Sequence, residues 1–259
     1  MNLIETVFDF KALSMQQQSY FFEKIYQFDQ KIFPNSSLEE FKAFVYDPDA
    51  IAVTVIQYHD RDQVVGQNVI PFILIHYNEQ PMHVVNSRAG FLSEYQKQNL
   101  TIPSAVKAML NRRLKNPFIP LWFVISINQP KIYSLFASRS KSFFPRVGKT
   151  MPKEYHEVLQ LMAARYPEIQ KRGEGVYVHE THSPARSFEQ LMHLRIPQDV
   201  HSNFFLQHAP DYFDGWGIMC IRKLDGKTLS ETALNLALNR KVDYVLITSK
   251  NCNPLYVSC

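Results

Sequence analysis

The sequence predicts an α/β fold, a mixed and mostly antiparallel sheet flanked by helices, with a C-terminal half that extends it. Three observations carry this expectation. Two amphipathic helical stretches precede three strand-like runs joined by short polar turns. A nearly continuous apolar run, Pro120 to Ile127, lies between two further helical stretches. A late strand-like run, Gly217 to Leu224, is followed by a helical Leu229 to Leu238 and a strand-like Val242 to Thr248.

Ser14 to Phe33 places Tyr20, Phe21, Ile25, Phe28 and Ile32 at mostly three- and four-residue steps, the period of an amphipathic helix. Pro34 and Asn35 end it. Ser37 with Glu40 three residues on forms the signature of a capping box, which predicts a second helix stopped by Asp47, Pro48 and Asp49. Ala50 to Tyr58, Val64 to His76 and Met82 to Phe91 then read as strands separated by polar turns, an antiparallel meander. Ile102 to Leu114 and Pro130 to Phe144 read as helices. A buried strand reached through a crossover helix implies a right-handed parallel unit attached to the meander. Lys153 to Arg165 is helical in pattern, and Gly175 to His179 reads as a short strand.

The chain has 259 residues, enough for one large domain or a domain and a half. We expect one domain over residues 1–150 and a second half over 151–259 that completes the same sheet or forms a degenerate copy of it. The net charge of +4 favours a polyanionic small ligand without implying nucleic acid. The basic clusters lack the interleaved aromatic residues of a single-strand binder. Three cysteines, Cys220, Cys252 and Cys259, are too few and too irregular for a disulfide framework or a zinc ribbon. Cys220, between Met219 and Ile221, reads as core. No apolar run approaches a membrane span. The expectation is a cytoplasmic protein with neither membrane nor nucleic acid as partner. His179, Glu180, Thr181 and His182 offer imidazole and carboxylate, but histidines three apart beside Ser183 and Pro184 do not match a helical zinc motif, so no metal is expected.

The most informative stretch runs from Val84 to Ala108, a strand, a polar loop and a helix start with Pro103 in its first turn. Such a loop presents free amides and the positive end of a helix dipole, a natural phosphate cradle. On these residues alone a plain strand-to-helix connection capped by Thr101 or Ser104 is the leading reading.

Phe91 and Leu92, followed by Ser93, Glu94, Tyr95, Gln96, Lys97, Gln98, Asn99, Leu100, Thr101 and Ile102, resemble motif A of the GNAT acyltransferases. In that motif a strand leads to Gln or Arg, two residues, Gly, one residue, then Gly or Ala. Gln96 stands at the first position, Asn99 at the first glycine and Thr101 at the second. Asn128, opening the helix after the apolar run, resembles the family's Asn that packs on the pantetheine arm. The resemblance covers residues 1 to about 150. It implies an acetyl-CoA or other acyl-CoA co-substrate, held by backbone amides of Phe91, Leu92 and Gln96 to Ile102 and by Asn128. The acceptor it implies is a primary amine of a small molecule or protein. Glu94 is the carboxylate nearest the loop and the candidate base, and Tyr133 the candidate acid for the leaving thiolate. Two positions depart from the family: both loop glycines are absent, and Leu135 stands where the usual tyrosine would, with Tyr133 two residues early. These departures keep open a catalytically inactive member that serves as a binding module or effector scaffold. Arg88 reads as an anion ligand or as half of an ion pair. The clusters Arg112, Arg113, Lys115 and Arg139, Lys141, Arg146, Lys149 read as 3′-phosphate partners or as solvated faces.

Overall fold

The structure is a computed structural model that describes residues 3–98, 100–166, 168–181, 198–226, 228 and 230. Among these, nine strands form one sheet in the order β1-β2-β3-β4-β6-β9-β8-β7, with β5 paired to β3 beside β4. The strands are β1 Ile4–Asp9, β2 Ala50–Asp60, β3 Gln63–Tyr77, β4 Gln80–Val85, β5 Arg88–Phe91, β6 Leu121–Ile127, β7 Gln170–Gly173, β8 Val176–Glu180 and β9 Trp216–Lys223. The helices are α1 Met15–Ile32, α2 Leu38–Val45, α3 Thr101–Lys115, α4 Pro130–Ala137, α5 Lys153–Ala163 and α6 Val200–His208. All pairings are antiparallel except β4 with β6.

The local signals do what their chemistry requires. Ser14 caps α1 in a reciprocal box with Gln17, and the Ser37 hydroxyl accepts from the Glu40 amide at the start of α2. These two helices cover one face of β2 and β3, burying Phe22, Ile25 and Phe41 against Val53, Val55 and Val69. Helix α3 packs the opposite face, where Ala105 and Met109 meet Val85, Leu121 and Phe123. Helix α5 lies on the face of α1 and α2, across the sheet from α3, over Trp122, Val124, Met219 and Ile221. Strand β6 is thus covered on both sides, which is why it reads as continuous apolar sequence.

Several sequence expectations need correction. Residues 4–9, given no element from sequence, pair with β2 as an edge strand of half-exposed residues. The third strand of the meander is interrupted: β4 ends at Val85 and β5 begins at Arg88. The helix expected to run to Phe144 stops at Ala137, and Val200–His208, which sequence left unassigned, is helical behind an Asp199 cap. Strand β7 was also not foreseen, because its four residues are too polar to stand out. Strands β7, β8 and β9 extend the sheet of the first half. The expected elements at Leu229 to Leu238 and Val242 to Thr248 lie outside the described residues, apart from Ser230.

The interruption between β4 and β5 has a chemical cause. Phe72 pairs with Val85 and Val69 with Arg88, so the register is continuous and Pro71 faces Asn86. The Asn86 amide donates to the Pro71 carbonyl at 3.4 Å. Proline has no N–H to return the bond, so this rung is half made and the strand loosens there.

Beyond β6 the sheet depends on a close strand approach. A Cβ on Gly217 would lie 2.8 Å from the Ile127 carbonyl carbon and oxygen and 2.9 Å from the Asn128 nitrogen. We expect Gly217→Ala to cost on the order of 1–3 kcal/mol, read as a lower midpoint in urea unfolding.

His83 gives the fold a pH dependence. It is 2% exposed on β4, with its Nε2 3.4 Å from Arg112 Nη2. Burial, and secondarily the Arg112 charge, hold its imidazole down at about 4. The unfolded chain takes up this proton near pH 6.5, whereas the folded chain takes it up only near 4. The stabilisation is therefore complete above 6.5 and is lost as pH falls toward 4. Unfolding measured across that window should show a loss on the order of 2–3 kcal/mol that His83→Gln removes.

Candidate functional site

Strands β4 and β6 pair only over His83–Val85 with Leu121–Phe123. Beyond that point β5 stays with β3, while β6 continues against β9 from Trp122 to Ile127. The two strands therefore diverge from where Pro71 faces Asn86. Between them lies a cavity of about 990 Å³, walled by Asn86, Ser87, Arg88 and Ala89 on one side and Phe123 to Asn128 on the other. It reaches both faces of the sheet. On the first face it meets Thr101, Ile102, Ala105, Val106 and Met109 of α3, and on the second it meets Arg165, Tyr166, Glu168, His179 and Thr181.

The first face is mostly apolar and ends at the start of α3. Leu100 precedes that helix and supplies no side-chain cap. Pro103 has no N–H, so the amides of Thr101 and Ile102 mark the positive end of the helix dipole.

The cavity's arginines are largely committed to carboxylates. Arg88 donates from Nε and Nη2 to the two oxygens of Asp29 at 2.8 Å each, and from Nη1 to Glu40 at 3.2 Å. Its guanidinium stacks 4.4 Å from the Phe33 ring centre. Burial raises the Asp29 carboxyl above the usual carboxylate range, and Arg88 offsets only part of that rise. The ion-pair reading of Arg88 thus describes it, with the buried Asp29 as partner. Arg165 binds both oxygens of Asp47 at 2.9 and 2.8 Å and Asp49 at 2.6 Å, tying the end of α5 to the turn before β2.

A third polar group lies on the second face. Ser126 of β6 and His179 of β8 point the same way, with Ser126 Oγ 3.1 Å from His179 Nδ1. His179 Nε2 lies 3.1 Å from Glu168 Oε1, and the Tyr166 ring sits 5.6 Å from the imidazole. The strand between, β9, offers Gly217 opposite His179. Nearby, the Asn128 side-chain amide donates to Thr181 Oγ1 at 2.8 Å, and that hydroxyl donates to the Gly215 carbonyl at 2.7 Å.

The residues expected from sequence fall into distinct places. Thr101, Ile102 and Asn128 line the cavity. Phe91 is core, packed 4.8 Å from the Tyr58 ring and filling the space that Gly66 leaves. Leu92 packs partly buried beside it, and the Leu100 carbonyl accepts from the Tyr58 hydroxyl at 3.4 Å. Gln96, Lys97 and Gln98 belong to a 3-10 turn over Ser93–Gln98, and Asn99 lies outside the described residues. Glu94 is exposed on that turn, outside the cavity wall. Tyr133 is fully buried, donates to the Pro145 carbonyl at 2.7 Å and packs against Phe143 and Phe205. Burial holds its phenol well above the usual range, so it is a neutral core residue outside the cavity wall. Of the basic clusters, Arg146 is buried and donates to the Ser140 carbonyl. Arg113 donates to the Ile119 carbonyl at 2.6 Å, and Arg112 faces His83. Cys220 is fully buried, as a core reading requires.

Sequence reading passed over Ser126 and Glu168 and weighed His179 as a metal ligand and as ordinary polar surface. Two signals were present: Ser126 is the one polar residue inside the apolar run Leu121 to Ile127, and His179 continues the face of Tyr177. His182 lies outside the described residues. Among the described residues no group of three His, Cys, Asp or Glu is placed to hold a metal, and no helix is long and apolar enough to cross a membrane.

No family model and no curated protein matches the chain. Solved structures give partial likenesses. A conserved Enterococcus faecalis V583 protein described as a probable N-acyltransferase matches with a TM-score of 0.37 and 10% identity, over 54% of this chain and 33% of that one. The chain thus spans about a third of the Enterococcus protein. NAA60 of Arabidopsis thaliana, solved with acetyl-CoA, matches with a TM-score of 0.36 and 15% identity, over 57% of this chain and 91% of that one. An acetyltransferase of the GNAT family from Streptococcus pneumoniae matches with a TM-score of 0.35 and 9% identity, over 59% and 92%. Such distant, partial likenesses add nothing to what the chain's own topology says. That topology, a meander, a loop and helix, and a parallel strand that splays from it, has the element order that the GNAT resemblance implies.

The ion pair at the wall is open to test. Removing the Arg88 guanidinium leaves the Asp29 carboxylate, 2% exposed, without its bidentate partner. Arg88→Met should lower unfolding free energy by about 3–5 kcal/mol, and the double variant with Asp29→Asn should recover much of it.

Proposed function

We propose that this chain is an acyltransferase that takes an acyl group from acyl-CoA and passes it to an amine. The observation that supports this most is the divergence of β5 from β6, which opens an apolar-walled slot running from the start of α3 to the polar group on the opposite face. A pantetheine arm is an extended chain with two amides, and amides taken out of water require partners. Two separated strand edges supply them as they would to an added strand. A pyrophosphate at the far end would meet the amides of Thr101 and Ile102 and the dipole of α3. Asn128, on the wall with its side-chain amide already held by Thr181, would bound the arm near its thioester end.

The amine would approach from the α5 face. Attack of a neutral amine on an acyl carbonyl needs a group that accepts its proton, and burial of the slot away from water strengthens whatever dipoles line it. His179 and Glu168 stand on that side of the slot, whereas Glu94 and Tyr133 stand off its wall. The absence of glycine from the 3-10 turn favours a second reading, a module that binds acyl-CoA without turning it over. That reading is separated from the first by binding without product.

Isothermal titration with acetyl-CoA should give saturable heat. Thr101→Glu places a carboxylate where the pyrophosphate would sit, while suiting the helix N-terminus, so the fold should persist. We expect it to weaken binding by roughly tenfold or more. A well-folded wild-type chain that binds no acyl-CoA of any length would overturn the acyltransferase reading.

A further inference from the structure

We propose that Ser126 is a nucleophile activated by His179 and oriented through Glu168, so that acyl transfer in this cavity passes through an acyl-serine. The inference rests on the cavity and on the proposed acyl-donor role, and it adds a covalent step that the fold resemblance does not supply.

For the neutral imidazole, hydrogen-bond roles leave one arrangement. An ionised carboxylate only accepts, so the Glu168 oxygen 3.1 Å from His179 Nε2 requires the proton on Nε2. The other ring nitrogen, Nδ1, is then bare and accepts from the Ser126 hydroxyl at 3.1 Å. A hydroxyl, an imidazole and a carboxylate in that order, with the imidazole's tautomer set by the acid, is the arrangement that activates a serine. All three residues line the same cavity, and Ser126 sits on the strand that forms one wall of the slot. The three come from β6, from β8 and from the segment before β7, so no local motif brings them together. The surrounding groups do not compete for the imidazole: Arg165 is held by Asp47 and Asp49, and Asn128 and Thr181 bond one another.

The chemistry balances within these residues and the two substrates. Ser126 Oγ attacks the acyl carbonyl carbon, and its proton moves to His179 Nδ1. The Glu168 carboxylate stabilises the resulting imidazolium through Nε2–H. The bond from the carbonyl carbon to the donor's sulfur breaks, and the leaving thiolate takes the proton from Nδ1. The ester on Ser126 is then attacked by the amine, whose proton passes to Nδ1. The bond from the carbonyl carbon to Oγ breaks, and Oγ recovers the proton. Ser126 and His179 are the catalytic residues of this sequence, and Glu168 is a positioning residue.

The test uses the full chain with p-nitrophenyl acetate, an activated ester that needs no CoA site, alongside the acetyl-CoA titration. Nitrophenolate release and intact mass are read together for wild type, Ser126→Ala and His179→Ala, with circular dichroism confirming the fold of each. Release in wild type that falls by roughly a hundredfold or more in both variants is expected. So is an acetyl adduct mapping to Ser126, with Ser126→Cys, which keeps a nucleophile there, accumulating it. Glu168→Gln should lower kcat with KM unchanged, and Glu168→Asp should restore part of it. Equal release by wild type and Ser126→Ala, an adduct on another residue, or neither release nor adduct in wild type would each overturn the proposal. Ser126-dependent release from a chain that binds no acyl-CoA would uphold this proposal and overturn only the acyl-CoA reading. Acyl-CoA binding with no reaction at Ser126 would do the reverse.

Discussion

The peptide nitrogen of Pro71 cannot donate, and it sits where β3 would otherwise close a full rung with Asn86. Its position matters more than its cost. The rung lies where β4 has just left its short parallel pairing with β6, so the loosened strand has nothing on its other side to hold it. Downstream, Arg88 anchors β5 toward α1 and α2 through Asp29 and Glu40. On the far side, six paired positions hold β6 to β9. One strand is drawn toward the first half of the chain and the other toward the second, and the cavity lies between them.

The same balance explains the burial of charge around the slot. A carboxylate as enclosed as Asp29 persists beside apolar helices only when a guanidinium meets both of its oxygens. Arg88 does this across 59 residues of chain, from the first residue of β5 to the last turn of α1. It locks the wall of the slot to the helices above it, and its apolar contact with the Phe33 ring shields the pair from water. Arg165 does the corresponding work further along the same face, where it joins the end of α5 to Asp47 and Asp49. The cavity is thus framed by ion pairs and open in its centre.

Much of this architecture was legible in the residues. Ser14, Ser37 and the apolar periods behind them specify α1 and α2, and the polar turns at 61–62 and 78–79 specify the hairpins around β3. The phosphate-cradle reading rested on a local pattern, a helix start after a strand end, and Thr101 and Ile102 there line the cavity. What escaped was non-local. The catalytic reading of Glu94 and Tyr133 followed the order of a motif, but burial decides reach: Tyr133 faces Pro145 in the core, and Glu94 faces solvent. Ser126, Glu168 and His179 meet only because β9 passes between β6 and β8, and no spacing in the chain encodes that adjacency. Strands β1 and β7 escaped for a simpler reason, since edge strands bury too little to impose a period.

The C-terminal strands therefore do more than widen the sheet. If β6 were an edge, Ser126 would face water across an open border, and its hydroxyl would have no fixed partner. With β9 alongside, the next strand places a histidine on the same face two strands away, a distance that a side chain crosses only where the intervening position is small. Gly217 is that position: it pairs with His179, and its bare Cα lets β9 press against Ile127 and Asn128. Glu168, just before β7, then closes the group from the solvent side. The first half supplies the slot and Ser126, and the second supplies Glu168 and His179 beside it. Neither half has the whole group.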